Sequence, residues 1–247
     1  MKDKGVSSVT PFKVLVLDVD GVYRVQSSLL LHVDFFLDLR DFRGIRYMCS
    51  PEKLKDLLKI LPNFGRTIAF LGGGECHHLS LLFLKRQTVP FTLVVLDSHF
   101  DFREETNTIR CDSWLTHVLS SKKVKKVIVV GCKEYVGKRP RFFFVNPSFE
   151  AFRKLVKGEW IYVSVDKDIL KDNPTKWEGG SWSFEEIVNV LKSLPKRRTL
   201  GVDVCGEPVP YDLIKLKESE RLNLAILEIF LSPPHLSSRA LQVIPSR

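Results

Sequence analysis

Cysteine is scarce and unpaired in this sequence: five residues in 247, at positions 49, 76, 111, 132 and 205, with no two at short spacing. An odd count without close pairs argues against a disulfide framework and against a four-cysteine zinc site, and it suits a reducing compartment. No window approaches the roughly 18 uninterrupted apolar residues that a membrane-spanning helix needs. Lys2 and Lys4 are followed by Gly5, Ser7, Ser8 and Thr10 in place of a continuous apolar segment, so a secretory leader is not expected. Internal repeats and a strong linker are also missing. The expectation is a cytoplasmic protein without membrane association, folded as one domain over residues 1–247, with 1–11 and 233–247 as candidate tails.

Acidic residues are the minority charge, 29 against 38 Lys and Arg, which leaves a net +9. Such a field attracts anions without choosing among them. The densest basic runs, at Lys122, Lys123, Lys125 and Lys126 and at Lys196, Arg197 and Arg198, each precede an apolar stretch. A solvated turn entering a buried strand belongs there, so nucleic acid is not an expected partner. Hydrophobic content of 44% with 17 Phe supports a substantial, bulky core.

Short runs rich in Val, Ile and Phe recur at 12–17, 67–71, 92–96, 126–130, 141–145, 160–165 and 200–204. Most are continuously apolar, which a strand covered on both faces requires. Helical spacing fills the intervals. Ser50-Pro51 reads as a cap and first turn ahead of Leu54, Leu57, Leu58 and Leu61. Apolar spacings at Phe149, Phe152 and Val156, at Ile187, Val190, Leu191 and Leu194, and through 213–231 predict three more helices, with Pro233-Pro234 stopping the last. The implied class is α/β, a three-layer α/β/α arrangement on a mainly parallel central sheet. Residues 24–47, where Phe and Leu interleave with Asp and Arg, fit neither pattern and suggest a mixed helix and strand insertion.

Open parallel sheets do their chemistry just past the carboxyl ends of strands. Asp97, His99 and Asp101 follow the run ending at Leu96 at alternate positions, so an extended continuation points all three the same way. Asp166 and Asp168 repeat that spacing after Val165. Gly72-Gly73-Gly74-Glu75-Cys76-His77-His78 leaves the run ending at Leu71. Carboxylates mixed with imidazoles suit Mn²⁺ or a similar ion, and two cations sharing carboxylates would relieve their mutual repulsion.

These blocks resemble those of the ureohydrolase family, which includes arginase, agmatinase and formimidoylglutamase. Asp97-Ser98-His99-Phe100-Asp101 is similar to the family's Asp-Ala-His-x-Asp, Ser164-Val165-Asp166-Lys167-Asp168 to its Ser-x-Asp-x-Asp, and Gly73-Gly74-Glu75 to its Gly-Gly-Asp/Glu-His-Ser block. The similarity covers about residues 68–231. It implies an arginase/deacetylase-like fold and a homo-oligomer. It also implies two Mn²⁺ ions held by His77, Asp97, His99, Asp101, Asp166 and Asp168, and a metal-bridging hydroxide that hydrolyses a small guanidino or amidino substrate. An ungapped match puts Cys76 at the family histidine and one inserted residue puts His77 there, with His78 the next choice.

The catalytic half departs from the pattern. Cys111 stands where the family carries a histidine that moves protons, with Asp112 beside it, and neither ordinary pKa is near neutrality. His117, six residues on, reads as an ordinary helix residue. Gly206 stands at the family's guanidinium-binding glutamate, leaving Glu207 to take the role only if a local turn brings it back. The expected catalytic candidates are thus Cys111, Asp112 and Glu207. A metal-binding homologue with weakened or lost turnover is the alternative. Separately, Val14-Leu15-Val16-Leu17-Asp18-Val19-Asp20 resembles the nucleophile motif of haloacid-dehalogenase-like phosphatases, a less favoured reading in which Asp18 attacks and Asp20 moves the proton.

Overall fold

The structure is a computed structural model describing residues 10–104, 107–134, 137–145, 149–172, 175, 177–209, 211–231 and 242–245. The strands are β1 Phe12–Asp18, β2 Phe35–Asp38, β3 Met48–Cys49, β4 Arg66–Phe70, β5 Phe91–Leu96, β6 Ile109–Arg110, β7 Val124–Val130, β8 Phe142–Val145, β9 Ile161–Asp166, β10 Thr199–Cys205 and β11 Gln242–Pro245. The helices are α1 Ser27–Leu30, α2 Pro51–Ile60, α3 Ser80–Leu84, α4 Trp114–Leu119, α5 Phe149–Val156, α6 Phe184–Ser193 and α7 Leu213–Phe230. Nine strands form one sheet in the order β11-β2-β1-β4-β10-β9-β5-β7-β8, and every pairing in it is parallel. The antiparallel pair β3–β6 stands apart.

Continuous apolar runs become strands because both sheet faces are covered. Val14, Val16, Ile68, Phe70, Val94 and Leu96 point into a core shared with α5, α6 and α7. Their neighbours Leu15, Leu17, Ala69, Leu93 and Val95 point into a second core shared with α2, α3 and α4. This is the three-layer arrangement expected. Local signals hold as well: Ser50 caps α2 by accepting from the Lys53 amide at 3.3 Å, and Ser183 with Glu186 forms a capping box on α6.

Two strands on one side of the sheet were not among the apolar runs, although the mixed helix and strand expected over 24–47 does hold α1 and β2. β2 comes from the charged 24–47 segment, where Asp34 just ahead of it accepts from the Val14 amide at 2.8 Å and Lys13 at 3.1 Å. β11 comes from the candidate tail 233–247 and extends the sheet beyond β2. The expected stop at Pro233-Pro234 lies outside the described residues.

Candidate metal centre

β4, β10, β9 and β5 are consecutive neighbours in the sheet, and each ends in a polar segment on the same rim. β5 delivers Asp97, His99 and Asp101, and β9 delivers Asp166 and Asp168. β4 leads through Leu71–Gly73 into a 3-10 helix, Gly74–Leu79, that carries His77. All five β5 and β9 residues line one cleft of about 530 Å³. Gly74 also lines it, and a Cβ there would come within 2.8 Å of Trp177 Nε1 and 3.3 Å of Asp166 Oδ2, so the close approach requires glycine.

The tight 3-10 turn decides among the three candidates on that segment. His77 Nδ1 lies 3.1 Å from Asp101 Oδ2, 3.3 Å from Asp97 Oδ2 and 3.5 Å from Asp166 Oδ2. Cys76 and His78 are buried elsewhere and join none of the groups of ligand atoms. Two polar side chains that the sequence reading left aside orient His77. Its Nε2 lies 3.0 Å from Ser164 Oγ, which donates to Asp203 Oδ1 at 2.6 Å. Ser80 Oγ donates to the same oxygen at 2.9 Å. With Nε2 engaged by Ser164, Nδ1 is the nitrogen left to face the carboxylates, and a cation bound there would take its lone pair. Trp114 Nε1 likewise holds Asp101 Oδ2 at 3.0 Å. The serine was visible beside the aspartates, but nothing local tied Asp203 to a histidine 126 positions away.

Electrostatics at the rim are those of too many acids in too little water. Burial, then Asp168 and Asp101, push the Asp97 carboxyl well above its ordinary range. Burial and Asp168 raise Asp166 to about 7. His99, 2.6 Å from Asp168 Oδ2, is raised to about 9 by that hydrogen bond. Burial opposes charge on His77, but Cys205, Asp101 and Asp97 outweigh it and raise its pKa. The Nδ1 of His77 is nonetheless buried without a directed hydrogen bond. An orphaned imidazole nitrogen converging with carboxylates is what a cation site presents, so the donor set fits divalent metal. Among the described residues three groups of ligand atoms form, each with all atoms within 4.8 Å of one another: His77 with Asp97 and Asp101, Asp97 with His99 and Asp168, and His77 with Asp166 and Cys205.

The catalytic candidates fare differently. Cys111 and Asp112 line the cleft. Burial pushes the Cys111 thiol up to about 11, and Asp112 is held below the carboxylate range by Arg110, with Arg103 also bound to it. Near neutral pH Cys111 therefore keeps its proton and Asp112 has already lost its own, so neither exchanges one there. His117 Nε2 lies 3.3 Å from the Thr108 carbonyl oxygen on the outer side of α4. Glu207 corrects the expectation most. Its carboxylate accepts from Lys167, from Gln26 at 2.8 Å, and from Ser219 and Asn223 at 2.7 Å, and the Lys167–Glu207 pair is fully buried. Its oxygens are committed to the chain's own ammonium and amides. Asp18 is also sealed, receiving Arg24 Nε at 2.8 Å with no exposed surface, which removes it as a phosphatase nucleophile.

Gly206, just before Glu207, sits in a turn with no room for a side chain. It has φ +83°, and a Cβ there would fall 2.3 Å from Asp166 Oδ1 and 2.6 Å from the Lys167 amide nitrogen. Gly206→Ala should therefore lose about 2–5 kcal/mol in urea titrations, combining left-handed strain with overpacking against Asp166. A loss below about 1 kcal/mol would show that this turn is not constrained as described.

No protein-family model matches the chain. An uncharacterized protein of Thermotoga maritima is 41% identical over 217 residues, covering 88% of this chain and 89% of that protein. Among solved structures, formimidoylglutamase from Bacillus subtilis is similar with a TM-score of 0.63 at 11% identity, over 91% of this chain and 88% of that one. Arginase from Bacillus subtilis gives 0.59 at 14% identity, over 89% and 99%. At these identities the structural likeness establishes the fold. No helix among the described residues is long and apolar enough to cross a membrane.

Proposed function

We propose, from the premise that the chain belongs to one family with the Thermotoga maritima protein and carries the ureohydrolase fold, that it is a two-metal hydrolase of carbon–nitrogen bonds in a small linear amidine. The observation that carries this reading is the cleft itself, where five ligating side chains from two adjacent strands surround one space and His77 Nδ1 reaches them from a third. His77, Asp97, Asp101 and Asp166 would hold one cation, and Asp97, His99 and Asp168 the other, with Mn²⁺ suited to the oxygen-rich set. When bound, the pair supplies Lewis-acid activation of water and of the amidine carbon.

The chain's own residues supply position and shape. Ser164 and Asp203 fix the tautomer of His77, and Trp114 fixes Asp101. Phe100, Phe102 and Trp177 give the cleft apolar walls that limit water around the reacting carbon. Because Glu207 is already engaged by Lys167, a full guanidinium loses its bidentate carboxylate partner. This favours formimino and other amidines over arginine-like substrates.

A second reading, a metal-binding homologue with weakened turnover, draws on the same residues: Cys111 and Asp112 cannot shuttle protons near neutrality and Glu207 is engaged. A screen of guanidino and formimino compounds with Mn²⁺, following release of urea or formamide, separates the two. Turnover by the natural chain that falls at least ~100-fold in Asp101→Ala supports the hydrolase, since loss of a ligand withdraws several kcal/mol of charge stabilisation. Metal uptake with no turnover of any compound leaves the second reading, and turnover unchanged in Asp101→Ala takes the centre out of the mechanism.

A further inference from the structure

Cys205 ends β10 opposite Asp166 on β9, in direct register. The two side chains leave adjacent strands at one level. The thiol is fully buried, and its Sγ donates to Asp166 Oδ2 at 3.3 Å. With His77 and Asp166 it forms a group whose ligand atoms lie within 4.8 Å of one another. A buried cysteine alone would mean little, since cysteine packs readily in apolar cores. The second observation is His77 Nδ1, buried, without a directed hydrogen bond, and facing the same space. Among the described residues no other cysteine enters a ligand group.

We propose that Cys205 is a further metal ligand on the His77 side of the centre, which makes the two halves chemically unequal. This rests on the two-metal reading above. On one side sulfur from Cys205 then joins the His77 nitrogen and the oxygens of Asp166, Asp97 and Asp101, while the other side presents nitrogen and oxygen from His99, Asp97 and Asp168. Sulfur donors select softer ions such as Zn²⁺, whereas carboxylate sets suit Mn²⁺. Coordination requires the thiolate, so the S–H proton leaves to solvent as the sulfur–metal bond forms. The competing role for Cys205 is a hydrogen-bond donor that orients Asp166 and never touches metal. That role produces no sulfur at the metal.

The test uses the full chain loaded with one equivalent of Zn²⁺ and read by X-ray absorption at the zinc edge. A sulfur scatterer at about 2.3 Å is expected. It should persist in Cys76→Ser and Cys111→Ser and disappear in Cys205→Ser, whose preference for Zn²⁺ over Mn²⁺ should also drop at least tenfold. An oxygen and nitrogen shell alone in the natural chain overturns the proposal without recourse to any variant. So does a sulfur shell lost in Cys76→Ser or Cys111→Ser. Should Cys205→Ser not fold, a variant replacing Cys49, Cys76, Cys111 and Cys132 together decides the assignment by keeping or losing the sulfur shell. Bound Zn²⁺ with no sulfur leaves the two-metal reading standing, and no zinc uptake at all overturns both.

Discussion

Asp97→Asn should abolish the binding of both cations and with it turnover, by about 10³-fold or more. Asp97 is the carboxylate that appears in two of the three ligand groups, once with His77 and Asp101 and once with His99 and Asp168. An amide cannot supply the negative charge that either cation needs, so one substitution strikes both positions. Charge stabilisation by metal is worth several kcal/mol, and each 1.36 kcal/mol is tenfold in rate. In the metal-free chain the sign reverses. There Asp97 is buried beside Asp168 and Asp101, which together push its carboxyl up, and a neutral side chain of the same shape relieves that crowding. Without added metal, the variant should melt at a higher temperature than the natural chain. With saturating Mn²⁺ the order should invert, because only the natural chain gains binding energy on folding.

The pH dependence follows the same logic. Asp166, raised to about 7, and His99, raised to about 9, keep their protons in the folded metal-free chain after the unfolded chain has released them. Their contribution to stability is complete below the ordinary carboxylate and imidazole values, and it is lost as pH rises through about 7 and about 9. Divalent metal should flatten that decline. A natural chain whose melting temperature is the same with and without Mn²⁺ across this range would contradict the site.

Glu207→Gln should cost about 3–5 kcal/mol of folding stability, the usual consequence of stranding one member of a buried ion pair. Lys167 has no exposed surface, and burial pulls its ammonium pKa down while Glu207 opposes that shift. Removing the carboxylate charge leaves a buried ammonium with neutral acceptors, Ser219 and the new amide oxygen, in place of its counter-ion. The same change also weakens the acceptors that hold Gln26 and Asn223, tying α7 to the start of α1 less tightly. Lys167→Met alone should be nearly as harmful, since it strands the carboxylate. Combining Lys167→Met with Glu207→Gln should recover much of the loss, because no net charge then remains buried. A Glu207 that served mainly to bind substrate would behave otherwise, with a raised KM and an unchanged urea midpoint.

The parallel strands were legible because runs buried on both faces must be apolar throughout, as in Leu93-Val94-Val95-Leu96 and Val127-Ile128-Val129-Val130. β2 was harder to bound because Asp34 and Asp38 flank its short apolar stretch, the latter bound by Arg24 and Arg40, and such charges interrupt the continuous run that marks the central strands. Asp97, His99 and Asp101, like Asp166 and Asp168, were readable from period two alone. They sit within one extended segment, and local geometry decides which way they point. Choosing His77 over Cys76 and His78 was beyond that rule, because a 3-10 turn sets its direction. The recruitment of Cys205 beside Asp166, of Asp203 beneath His77, and of Lys167 by Glu207 depended on which strands became neighbours and in what register. The sequence by itself therefore determined the layers, the rim and most of the acidic and imidazole side chains gathered on it. Tertiary structure alone decided which donors meet and which carboxylate is already taken, because contacts between strand ends are fixed by sheet order, a non-local property that no single segment encodes.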